Sequence, residues 1–238
     1  MTTQSQLEET QTIFEHLAEL RYRLTRIVVT VAITTVVSFF FVERIIRLLL
    51  IPAGGLQKLV VQAPAETIAN FMRVSVVVGV AISSPIIVYH VVRFLAPGLK
   101  PQEKRWLLTM LPFVAALFII GAGFAYFVML PFMLPFLFSF GSSVAKPEWR
   151  MDYYLPFVAQ VMLAVGIIFE LPLVTFFLAK IGVIDAQLLS RYRKHAILII
   201  IIIAAIITPT PDPFNQLLIA IPMYLLYELG ILLARFAK

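Results

Sequence analysis

Glu170 is the residue whose type and position most demand explanation. It lies inside the apolar run 153–179, well away from either end, with Gln160 ten positions before it and Pro172 two positions after it. A run of that length and composition spans a bilayer as a helix. A carboxyl at such depth is costly and must face protein, water or a partner. Pro172 has no N–H for the carbonyl of Ile168, so a second free polar group is expected beside Glu170. The chemistry open to this intramembrane polar site of Glu170 and Gln160 is proton uptake, or hydrogen bonding to a polar group of a partner. The plain alternative is a structural carboxylic acid bonded between helices.

Two further carboxylates stand out. Glu19 is followed by Arg21 and Arg23, and Glu103 lies among Lys100, Lys104 and Arg105. An i,i+4 pair with Arg23 and simple charge balance are the plain readings. However, two carboxylates beside short connectors could each take one guanidinium from a ligand bearing two arginines. Asp212 before Pro213 has the N-cap and N1 signature of a helix start, and Gln216 follows one turn later. Catalytic motifs are missing: there is no H-E-x-x-H, G-x-S-x-G or P-loop. His16, His90 and His195 lack metal-ligand spacing, and cysteine is absent, so neither an enzyme nor a metal or cofactor protein is expected.

The elements that must carry these residues are membrane helices. Of 238 residues, 61% are hydrophobic and 13% charged, and mean hydropathy is +0.96. A soluble domain would carry roughly twice that charge. The net charge of +6 needs no nucleic-acid partner, because Lys and Arg flanking membrane spans account for it. The acidic leader, with Glu8, Glu9, Glu15 and Glu19, is unlike a cleavable signal peptide.

The expected architecture is all-α, a single integral membrane domain with six transmembrane helices. Thr12 and Glu15 fit a capping box, so an amphipathic interfacial helix is expected over 12–23. Spans are expected at roughly 24–42, 74–92, 106–130, 153–179, 195–208 and 214–234. The fifth has about 13 clearly apolar residues, roughly 20 Å of helix against a core of about 30 Å, so the last two are expected to form a short hairpin. The connectors at 21–26, 93–105 and 180–194, with the C-terminus, hold 13 of the 19 Lys and Arg. The positive-inside rule therefore puts both termini in the cytoplasm.

The stretches HLAELRYR (16–23), FLAPGL with EKR after it (94–105), GFAYF (123–127), FELP (169–172), RYR (191–193), TPTPD (208–212) and IPMYLLYE (221–228) stand in this order along nearly the whole chain. Together they resemble the TatC family, the multispanning receptor subunit of the twin-arginine protein translocase. The resemblance implies six spans in a concave, glove-like wall, in the cytoplasmic (inner) membrane. It implies binding of twin-arginine signal peptides on folded cargo, assembly with the single-span subunits TatA and TatB into an oligomeric receptor complex, and transport driven by the proton-motive force. It assigns signal-peptide binding to Glu19 and Glu103, with Phe94 and Arg21 in the same motifs, and it matches the family's intramembrane glutamate to Glu170. Asp212 and Gln216 would belong to a periplasmic cap. The rival reading is a proton-coupled small-solute transporter using Glu170, for which an inverted repeat with paired broken helices would be the mark.

Overall fold

The structure, a computed structural model, describes residues 2–53, 59–95, 101–139, 148–208 and 212–237. In chain order the helices are α1 (Thr2–Phe40), α2 (Val42–Leu49), α3 (Pro64–Leu95), α4 (Pro101–Phe124), α5 (Leu130–Ser139), α6 (Met151–Phe169), α7 (Leu171–Lys180), α8 (Ala186–Arg191), α9 (Arg193–Ile207) and α10 (Pro213–Phe236). A 3-10 turn (Ile51–Ala53) follows α2, and a π-helical turn (Ala125–Met129) joins α4 to α5. Two-residue strands β1 (Leu59–Val60) and β2 (Trp149–Arg150) pair in parallel.

Five helical runs are long and apolar enough to cross a membrane: Leu17–Phe40, Pro64–Phe94, Arg105–Ser139, Met151–Lys180 and Pro213–Phe236. Of the last two helices, α9 has 15 residues, roughly 22 Å of helix, and falls short of a bilayer core. The expected shortness of the last pair therefore rests on α9. α10 has 24 residues and accommodates Gln216, Pro222 and Glu228 without a break.

Three boundaries differ from the sequence reading. α1 starts at Thr2, not at a cap on Thr12, and the amphipathic stretch runs into the first apolar run as one helix. α3 starts at Pro64, ten residues before the expected 74, because Glu66 caps it: Glu66 Oε2 accepts the backbone N–H groups of Gln62 (2.9 Å) and Ala63 (3.4 Å). The third long helix does not stop at Leu130. Pro131 removes one hydrogen bond, and the widened turn at 125–129 comes just before it, so the chain stays helical to Ser139.

Helices meet where a glycine lets them approach. α1 packs on α3 at Gly79, where Thr34 Oγ1 bonds the Gly79 carbonyl (2.8 Å) and Ser83 Oγ (2.8 Å). α4 and α6 interlock reciprocally, with Gly121 against Phe169 and Gly166 against Phe118. α10 packs on α7 at Gly230 against Thr175. At the far end of α3, Tyr126 and Tyr154 donate to the carbonyls of Leu48 and Leu49 (2.8 Å each) and so hold the end of α2. The main core runs through α2, α3, the π turn, α5, α6, α9 and α10.

A Cβ on Gly79 would lie 2.7 Å from the backbone nitrogen of Thr35 and 2.8 Å from its Cα. Backbone cannot swing aside as a side-chain tip can. Gly79→Ala is therefore expected to destabilise the protein by about 1–3 kcal/mol, read as a lower unfolding temperature in detergent; unchanged stability would show that the seam is loose.

Candidate functional site

The candidate residues divide between one end of the bundle and its interior. At the end, α1 and α3 run antiparallel, and the Thr34–Gly79 contact sets their register. Counting eleven residues back from Thr34 gives Arg23, and eleven on from Gly79 gives His90. Eleven residues is three turns, so these two stay on the contacting faces. Fifteen residues in the same directions bring Glu19 level with Phe94. Glu103 is in the first turn of α4, which also packs on α3. Its side chain lies outside the described residues.

At this end Glu19 is partly exposed and already engaged. Its Oε1 accepts Arg23 Nε (3.0 Å) and Arg23 Nη2. Arg23 is buried, whereas Arg21 points to the exposed side. Arg26 lies over the Tyr22 ring, and Arg93 donates to Tyr89 Oη (2.9 Å). Phe94 is half-buried at the end of α3. A small apolar cluster of Val92, Leu107 and Phe177 joins the ends of α3, α4 and α7 beneath it. Lys180 Nζ rests on the Trp106 ring at 3.7 Å, one turn from Glu103.

Glu170 sits in the single-residue break between α6 and α7, 4% exposed. Its Oε1 has no hydrogen-bond partner among the described residues, and neither has Ser84 Oγ on α3. The two are close enough to interact electrostatically without meeting in hydrogen-bond geometry. The free carbonyl expected at Ile168 is not found, because N–H groups at the break reach the carbonyls of both Ile167 and Ile168. Nor does Gln160 join Glu170. It is exposed, and ten residues put about 15 Å of helix between them.

A cavity of about 610 Å³ lies along the same seam, lined by apolar parts of α2, α3, α4, α6 and the π turn. Ala81 and Phe118 are among its walls. Ser84 follows Ala81 by three residues, and Phe118 touches Gly166, one turn before Glu170.

Asp212 accepts the backbone N–H of Asn215 (2.7 Å) and its Nδ2 (2.9 Å), which caps α10. Gln216 does not share that cluster. It reaches across to α9 and donates to the Ile201 carbonyl (3.0 Å).

Two polar clusters escaped the sequence reading. Glu66 uses Oε1 to accept the Asp152 N–H (3.0 Å), so one carboxylate caps α3 and α6 together. Nothing in the sequence pairs residues 86 apart. Arg193 and Glu228 form a bidentate ion pair (2.7 and 2.9 Å), with Tyr224 Oη donating to Glu228 Oε1 (2.9 Å). Here a signal existed: Arg193 lies fifteen residues before Thr208 and Glu228 fifteen after Pro213, so an antiparallel hairpin brings them level.

Glu170→Leu removes an unsatisfied buried group and keeps the volume, so it is expected to stabilise the isolated protein by about 1–3 kcal/mol in thermal unfolding. A loss of stability would mean that Glu170 has a structural partner.

Comparison with known proteins bears on the whole chain. Residues 15–222 match the family profile described as Sec-independent protein translocase protein (TatC). The Sec-independent protein translocase protein TatC of Carboxydothermus hydrogenoformans is 35% identical over 232 residues, which cover 97% of this chain and 96% of that protein. The protein of that name from Aquifex aeolicus is 38% identical over 228 residues, 94% of each chain. A crystal structure of a twin-arginine translocase receptor, TatC, superposes with a TM-score of 0.80 at 38% identity, covering 93% of this chain and 99% of the other.

Proposed function

This chain belongs to the TatC family, and on that premise we propose that it receives twin-arginine signal peptides on the end of the bundle formed by α1, α3 and α4. The family is one of non-enzymatic transport components, integral to the membrane, and the solute-carrier alternative falls with that membership. In this reading Glu19 and Glu103 each accept one guanidinium of the paired arginines, Phe94 offers an apolar face between them, and Arg21 borders the site. The observation that carries it is the register of the α1–α3 seam, which brings Glu19 level with Phe94 beside the first turn of α4. Bidentate acceptance by a carboxylate suits arginine better than lysine, because the guanidinium presents two parallel N–H donors.

α9 serves as a sixth, short crossing, both termini lie in the cytoplasm, and the membrane is the cytoplasmic one. Shortness of α9 fits a locally thinned bilayer near the 208–213 turn, where Asp212 and Gln216 fasten the hairpin on the periplasmic side. Glu170 and Ser84 offer an unpartnered donor and acceptor inside the wall, which suits a polar side chain on a partner helix, of TatA, TatB or the signal peptide. The concave wall then gathers these partners into an oligomeric receptor, and the proton-motive force drives transport.

Capture is tested by peptide binding to the full-length protein in nanodiscs. Glu19→Ala or Glu103→Ala is expected to weaken binding of an Arg-Arg peptide by about 1.5–3 kcal/mol and to erase its preference over a Lys-Lys peptide. Wild-type affinity and preference in both variants would remove them from the site. For topology, a reporter after Lys238 is expected in the cytoplasm and one near Lys146 outside. An external reporter at Lys238 would leave an odd number of crossings.

A further inference from the structure

Glu19 cannot offer its carboxylate freely, because Arg23 already holds it through two N–H donors. Arg23 is 7% exposed, so a ligand that takes Glu19 would strand a buried guanidinium unless another acceptor stood within reach. The seam register places His90 opposite Arg23. His90 is itself 7% exposed, and its Nδ1 has no hydrogen-bond partner among the described residues. Arg23, Arg26 and Arg93 all lie within electrostatic reach of its ring. Of these, Arg26 rests on Tyr22 and Arg93 donates to Tyr89, so Arg23 is the one whose present partner the ligand would claim. A neutral imidazole nitrogen accepts a hydrogen bond, and in a low-dielectric setting an unmet acceptor beside a displaced donor is strongly drawn to it.

We propose that His90 is a positioning residue for signal-peptide capture, its Nδ1 receiving the Arg23 guanidinium when an arginine of the peptide displaces it from Glu19. The idea rests on the reading of Glu19 as a peptide acceptor. It adds that Arg23 competes with the ligand for Glu19 and that His90 lowers the cost of displacing it. His90 never touches the peptide. It acts through Arg23, and its loss is therefore corrected by removing Arg23.

That reversal separates the exchange from a merely structural role. The probe is a synthetic peptide with two consecutive arginines, bound to the full-length protein in nanodiscs, with its two-lysine counterpart as control. His90→Leu is expected to weaken Arg-Arg binding about tenfold or more, the equivalent of one charge-assisted hydrogen bond, while His90→Gln, which keeps an acceptor, stays within about threefold of wild type. Arg23→Gln alone is expected to tighten binding, because Glu19 loses its competitor. Adding Arg23→Gln to His90→Leu is expected to restore affinity. Wild-type binding by His90→Leu, weaker binding by Arg23→Gln, or a double variant as weak as His90→Leu would each overturn the exchange. Should His90→Leu fail to fold, the sign of the Arg23→Gln effect still decides. Glu19→Ala distinguishes the two levels: if it weakens binding while His90→Leu does not, the exchange alone fails; if Glu19→Ala also binds as wild type, the site reading fails with it.

Discussion

The contact of α1 with α3 at Gly79 is the constraint that sets Glu19 level with Phe94. α1 is mostly unburied over its apolar length, and its packing is almost wholly on α3. Without a Cβ at Gly79, Thr34 can bond backbone and side chain of α3 at once. In an apolar surrounding, packing and such hydrogen bonds replace the hydrophobic drive that holds soluble helices together. One contact thereby sets the height of everything fifteen residues away. A slip of one turn would move Glu19 about 5 Å from the level of Phe94 and part Arg23 from His90.

The opposite end is fixed differently. There the chain crosses irregular segments whose N–H groups have no helix partner, and side chains supply the acceptors. Glu66 meets N–H groups at the starts of α3 and α6, and the β1–β2 pairing ties the same two stretches. Two tyrosines close the end of α2. The cavity between α3, α4 and α6, which Leu48, Leu49 and Tyr126 also line, thus adjoins an end that polar bonds hold in place.

Much of this was legible in the sequence, for physical reasons. Apolar run length gave the membrane helices and marked α9 as short, because the thickness of hydrocarbon sets a length that composition reveals. The Asp212–Pro213 signature gave the start of α10, because caps are local. Helix ends differ from the apolar runs where a local feature outside those runs sets them. α3 begins early because Glu66 caps it, and α5 continues past Pro131 because a π turn absorbs the proline. Among site residues, the type and depth of Glu170 were plain, but its neighbour Ser84 was not, since nothing local pairs residues 86 apart. Gln160 was grouped with Glu170 on sequence proximity alone, and helix geometry separates them. In the sequence His90 shows only that it lacks metal-ligand spacing. Only the register with α1 makes it the residue facing Arg23.

The distribution of satisfied and unsatisfied polar groups gives the last step. Arg193 and Glu228 meet as a bidentate pair with Tyr224 completing it, and this latch closes the short hairpin onto α10. Lys180 is seated on Trp106. These groups have what they need and hold elements in place. By contrast, Glu170, Ser84, His90, Asn70 and Asn215 are buried with side-chain polar atoms that meet no partner among the described residues, and each such atom costs free energy in the isolated chain. Ser84, His90 and Glu170 lie on or beside α3 toward the end that carries Phe94, whereas Asn70 lies near the start of α3 and Asn215 in the first turn of α10. On the proposed function, a receptor for a charged peptide and a partner helix needs acceptors that are vacant before binding and filled after it. At Ser84, His90 and Glu170 binding would return the stability these open atoms cost, and the satisfied latches hold the helices meanwhile.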